Sequence, residues 1–150
     1  MTKEKFNEVI NFAIDGEKDA VKFYQELQQK TKFQAQKEML KELENMEKGH
    51  IVILENIRSK GLQDVEVKEV KTLHISDYIV DVIPYENMTY QDVLIIAMKK
   101  EDQAEKLYTN IAGNFPGTDL ERLFLKLAAE ESEHKLRFET LYDEYILKDN

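Results

Sequence analysis

The sequence predicts an all-α protein built as a four-helix bundle, two antiparallel helical hairpins joined by a long crossover that contains a short helix. Three observations predict it. Glu, Lys, Leu, Ile and Gln dominate a chain with five glycines and two prolines, a composition of helix formers. Apolar residues recur at three- and four-residue steps through four segments, the mark of a helix with one buried face. Finally, two short gaps and one long one separate these segments, and short gaps force neighbouring helices to run antiparallel.

The first segment carries Phe6, Val9, Ile10, Ala13, Ile14, Glu17, Ala20, Val21, Tyr24 and Leu27 on one stripe, which predicts a helix over residues 3–30. Thr31-Lys-Phe-Gln34 reads as a capping box opening the second helix over 33–59, with Ala35, Met39, Leu43, Met46, Glu47, His50, Ile51, Leu54 and Ile57 inward until Gly61. A connection of about 28 residues, 61–88, follows. Val65, Val67 and Val70 in it show no period, whereas Ile75, Ile79 and Val82 predict a short helix ending before Pro84. Thr89 is the candidate cap of a third helix over 90–112 that keeps Val93, Ile96, Ala97, Glu101, Ala104, Leu107, Tyr108 and Ile111 inward. Gly113 and Pro116 end it. Thr118-Asp-Leu-Glu121 reads as another capping box, opening a fourth helix over 119–146 with Leu123, Phe124, Leu127, Glu131, His134, Phe138, Leu141 and Tyr142 on its stripe.

At 150 residues the chain fits a single domain spanning 1–150. It has no cysteine, which removes disulfides, thiolate zinc and iron–sulfur clusters together, so any metal must be held by carboxylate and imidazole. A net charge of −9 with scattered lysines argues against a nucleic-acid partner. The charged opening residues contain no apolar leader core, and no stretch is apolar enough to span a bilayer. The expectation is a soluble, cytoplasmic protein without a membrane partner.

The second half repeats the first at an offset of 84 residues. Glu17 meets Glu101, Tyr24 meets Tyr108, Glu47 meets Glu131 and His50 meets His134 in one unbroken register. A Glu and a His at i and i+3 lie roughly 60° apart on a helix and about one turn along it, so both can converge on one ion. Each of the six residues Glu17, Glu47, His50, Glu101, Glu131 and His134 interrupts an apolar stripe. Burying an unpaired carboxylate costs several kcal/mol, and no buried Lys or Arg accompanies these four. Four carboxylates and two imidazoles suit two divalent ions of the iron or manganese kind, whose charge they balance.

Glu17, Glu47-x-x-His50, Glu101 and Glu131-x-x-His134, in that order on four helices, resemble the rubrerythrin branch of the ferritin-like di-iron proteins. The resemblance covers nearly the whole chain. It implies a ferritin-like bundle holding two irons, with manganese or a mixed pair as alternatives, and an oxidoreductase that reduces hydrogen peroxide or dioxygen in oxidative stress. Tyr24 and Tyr108 are implied to hydrogen-bond around the metals. Two departures stand out: Ala104 occupies the place of a usual extra glutamate, and no rubredoxin centre can be built without cysteine. A separate electron donor, such as a rubredoxin-like protein, is therefore expected. Glu105 could replace the missing glutamate only if its helix or the ion shifted. Glu44, one turn before Glu47, could also reach inward as an extra ligand, although a solvated face is the reading preferred, and His74 reads as a surface or capping residue. The alternative functions are a ferritin-like ferroxidase that handles iron, or a non-enzymatic metal-binding bundle. A homo-oligomer is compatible with each.

Overall fold

The protein is seen in a computed structural model that describes residues 2–62, 75–78 and 89–149. Four long α helices account for most of them: α1 (Lys3–Lys30), α2 (Gln34–Lys60), α3 (Tyr90–Ala112) and α4 (Asp119–Asp149), with a single 3₁₀ turn at Ile75–Tyr78. No strand occurs among the described residues, and none of the described helices is long and apolar enough to cross a membrane. The helix bounds fall within three residues of those read from the sequence. Within the crossover, Ile75 begins the 3₁₀ turn, whereas Val65, Val67, Val70, His74, Ile79, Val82 and Pro84 lie outside the described residues.

The chain divides into two compact units, Met1–Val70 and Lys71–Asn150. The first holds α1 and α2 as a hairpin. Arg58 donates to Asn11 at its open end, and Gln28 donates to Glu44 near the turn. Partners thus rise in number on one helix as they fall on the other, so the pair is antiparallel. Phe6, Val9, Ile10, Ala13, Ile14, Tyr24 and Leu27 of α1, and Leu40, Leu43, Leu54 and Ile57 of α2, are buried. Each large side chain so buried is worth about 1.5–3 kcal/mol. Gly61 closes α2 with φ 66°, a left-handed backbone that a side chain would strain.

The second unit repeats the arrangement with α3 and α4. Gln91 donates to Tyr142 at one end, Lys135 pairs with Asp102 in the middle, and Tyr108 stacks on Phe124 near the turn, with ring centroids 6.0 Å apart. This hairpin is antiparallel too. Phe115, in the turn, is buried with Leu107, Ile111, Leu127 and Phe138. The 3₁₀ turn is tied to α3 by a hydrogen bond from Asn110 to the Tyr78 hydroxyl.

Helix starts follow the caps more variously than the sequence suggests. Thr89 and Asp92 form a full capping box on α3, each side chain taking the other residue's backbone N–H. At α4 only half of the expected box exists: Thr118 accepts from the Glu121 backbone at 3.2 Å, but the Glu121 side chain reaches Gly117 instead of Thr118. The box expected at Thr31-Lys-Phe-Gln34 does not form. Thr31 is the C-cap of α1, its hydroxyl donates to Gln36, and α2 starts after Phe33 with no side-chain cap. The N-cap position of α2 falls on Phe33, whose side chain has no acceptor, while Thr31 serves α1 through its backbone N–H and turns its hydroxyl to Gln36 in the first turn of α2.

Candidate metal centre

In the first unit Glu17 projects from α1, and Glu47 and His50 from successive turns of α2. All three are buried, at 3%, 1% and 2% exposure. The His50 ring nitrogen Nδ1 lies 3.4 Å from Glu17 Oε1 and 3.8 Å from Glu47 Oε1. In the second unit Glu101, Glu131 and His134 are buried at 1%, 1% and 0%. His134 Nδ1 lies 3.6 Å from Glu101 Oε2 and 3.9 Å from Glu131 Oε2. The repeat seen in the sequence is therefore a repeat of geometry, reproduced to about 0.2 Å between hairpins.

These spacings are long for N–H···O hydrogen bonds, which centre near 2.9–3.0 Å. They fall in the range open to donors that share an ion, because two atoms each about 2.1 Å from one cation sit roughly 3–4 Å from each other, depending on the angle between them. One ligand atom from each of Glu17, Glu47 and His50 lies within 4.8 Å of the others, and the same holds for Glu101, Glu131 and His134. Each trio is two carboxylates and one imidazole, and among its atoms Glu17 Oε2, Glu47 Oε1, Glu101 Oε2 and both Glu131 oxygens are sealed from solvent. Two buried negative charges per hairpin suit one divalent cation per hairpin. The residues present fit a metal.

The rubrerythrin family model matches residues 8–85 and 92–150. The chain belongs to the rubrerythrin family. That family is a ferritin-like di-iron domain, so the fold class is the all-α, ferritin-like four-helix bundle read from the stripes. The chain is also similar to the solved structure of a hypothetical protein from Pyrococcus furiosus, with 27% sequence identity and a TM-score of 0.69 over 92% of this chain and 88% of that one. None of the curated proteins matches it.

Around the rubrerythrin-type residues the structure sorts the remaining candidates. Tyr24 and Tyr108 are both buried, two turns beyond Glu17 and Glu101 on α1 and α3. Glu105 is turned to Lys135 on α4, at 3.9 Å, within a cluster that also joins Asp102 to Lys135 at 3.0 Å and to Lys106 at 2.8 Å. The hydrogen bond from Lys106 leads in holding the Asp102 carboxyl below its usual range. The hydrogen bond to Asp102 leads in raising Lys135.

Glu44 corrects the sequence reading. It belongs to no solvated face: it is 1% exposed, with its carboxylate held by Gln25, Gln28, Lys41 and Lys48. The signal was present. Leu40, Leu43, Glu44, Glu47, Leu54 and Ile57 are all buried on α2, and they share the three- and four-residue steps that place Glu44 on the core face with Leu40 and Glu47. A charged residue in a Glu-rich helix masked it, and Ala35, which the periodic reading put inside, is exposed.

Proposed function

We propose that this chain holds one iron in each half-site, Glu17/Glu47/His50 and Glu101/Glu131/His134, and uses the pair to reduce hydrogen peroxide or dioxygen with electrons from a separate donor. The observation that carries this reading is the matched pair of sealed carboxylate–imidazole trios. Each brings two negative charges, so two divalent ions leave the core close to neutral. Oxygen and imidazole donors without thiolate favour iron or manganese over structural zinc.

Held by Glu17, Glu47, His50, Glu101, Glu131 and His134, a ferrous pair would supply the two electrons needed to take hydrogen peroxide to two waters, or dioxygen to hydrogen peroxide, with two protons consumed either way. The chain's own residues do the rest. His50 and His134 direct Nδ1 toward the carboxylates of their own hairpins, which turns that nitrogen to the side on which the carboxylate oxygens would share a metal. The surrounding apolar stripe excludes bulk water, strengthening each electrostatic contact inside. The Tyr24 and Tyr108 hydroxyls are assigned to hydrogen bonds that orient the ligand carboxylates. These 150 residues hold no cysteine to build a rubredoxin-type centre, so in this proposal the electrons that restore the ferrous state come from outside them.

The test is anaerobic loading with Fe²⁺ followed by stopped-flow mixing with hydrogen peroxide and, separately, with dioxygen. The reading expects an absorbance change on oxidation, reversed by added reductant. A loaded protein inert to both oxidants would leave a metal-binding bundle with no redox function.

A further inference from the structure

Glu44 breaks the internal repeat. Its counterpart 84 residues on is Ala128, and its partners Gln25, Gln28, Lys41 and Lys48 correspond to Thr109, Ala112, Leu125 and Ser132. The ligand trios are duplicated, but this clasp belongs to the first hairpin alone. Gln28 donates to Oε1 at 2.8 Å and Gln25 to Oε2 at 3.2 Å, both from α1. Lys48 and Lys41 reach Oε2 from α2 at 2.7 and 3.3 Å. Both carboxylate oxygens are thus committed to donors, which leaves Glu44 poorly placed to serve as a metal ligand.

What remains is its position. Glu44 sits one turn before Glu47 and is bonded across to α1, the helix that carries Glu17. Gln28 also donates to the Tyr24 carbonyl at 3.2 Å, so the amide that holds Glu44 is itself fixed on α1. A buried ionic network rarely adds stability over apolar packing of the same volume, and Ala128 shows that the equivalent place in the second hairpin is filled by an apolar residue that is buried as well. A network of this kind fixes geometry. In the second hairpin the tie beside the ligands is Lys135 with Asp102, about 30% exposed and open to solvent, where ion pairs constrain little.

Resting on the two-metal reading above, we propose that Glu44 is a positioning residue that presets Glu47 against Glu17 before an ion arrives, so that the two half-sites are unequal and the first binds metal more tightly. A preorganised trio loses less side-chain freedom on binding, and that saving appears as affinity.

Titration of the metal-free protein with Co²⁺, followed by its visible ligand-field bands and by calorimetry, tests this. The wild type is expected to bind two Co²⁺ per chain in two steps, the tighter one abolished by Glu17→Ala. Glu44→Gln weakens that tighter step by about tenfold or more and leaves the other within about twofold. Gln28→Leu, at a half-buried position, shifts the same step in the same direction, and it decides the matter if Glu44→Gln fails to fold. A tight step unchanged in both variants, or both steps weakened alike, overturns the assignment. A wild type that binds no Co²⁺ removes the two-metal reading itself, a result visible before any variant is compared.

Discussion

Burial by itself would raise the pKa of Glu44, yet hydrogen bonds from Lys48, Gln28, Gln25 and Lys41 outweigh it and hold the carboxyl at about 2, down from 4.5. A depressed folded-state pKa stabilises the native state above the unfolded value and loses that contribution as pH falls through the folded one. The window is therefore about pH 4.5 down to about 2. The shift corresponds to about 3 kcal/mol at neutral pH. Urea unfolding of metal-free wild type and Glu44→Gln should differ most above pH 4.5 and converge toward pH 2; a gap constant across that range would mean the clasp does not act through charge. At this scale the six ligand candidates were legible because each interrupts an apolar stripe at a repeated position. Glu44 was not, because one more glutamate in an acidic helix looks like surface until its donors on another helix are known.

Among the helices, the element boundaries were legible to within a few residues, since stripes, glycines and prolines report on local backbone. Caps were less so, because a shift of the helix start by two residues changes which side chain stands at the N-cap, as with Phe33 in place of Thr31 at α2. Thr89 caps α3 with a full box, so Thr89→Ala should cost about 1 kcal/mol, measured by thermal unfolding. The Thr31 hydroxyl bonds the Gln36 side chain and caps no backbone N–H of α2, so Thr31→Ala is expected to cost less than Thr89→Ala. Gly16 lies in the interior of α1 with nothing within 4 Å of where a Cβ would stand. Gly16→Ala should therefore stabilise the protein by roughly 0.5–1 kcal/mol. A destabilised Gly16→Ala protein would show that this helix face is covered in solution.

Taken as a whole molecule, the chain carries one hairpin twice, and the repetition made its candidate site legible. A single Glu-x-x-His would be weak; two at an 84-residue offset, each matched by a glutamate on the preceding helix, reappear as two buried trios with nearly equal distances. The connection between the hairpins was the least legible part, since Val65, Val67 and Val70 give no period to assign. Four carboxylates buried in one chain also make stability depend on what they bind. A ligand taken up by the native state alone adds about 2.7 kcal/mol when its free concentration is a hundred times its dissociation constant. Metal-loaded protein should accordingly melt well above the chelator-treated form, and equal melting temperatures would remove the charge-burial argument. The most direct test of the central claim is the stoichiometry of anaerobic Fe²⁺ binding to wild type and to the Glu47→Ala, Glu131→Ala double variant. The account predicts two irons per chain for the wild type and loss of both from the variant; a variant that still binds two, or a wild type that binds none, would contradict it.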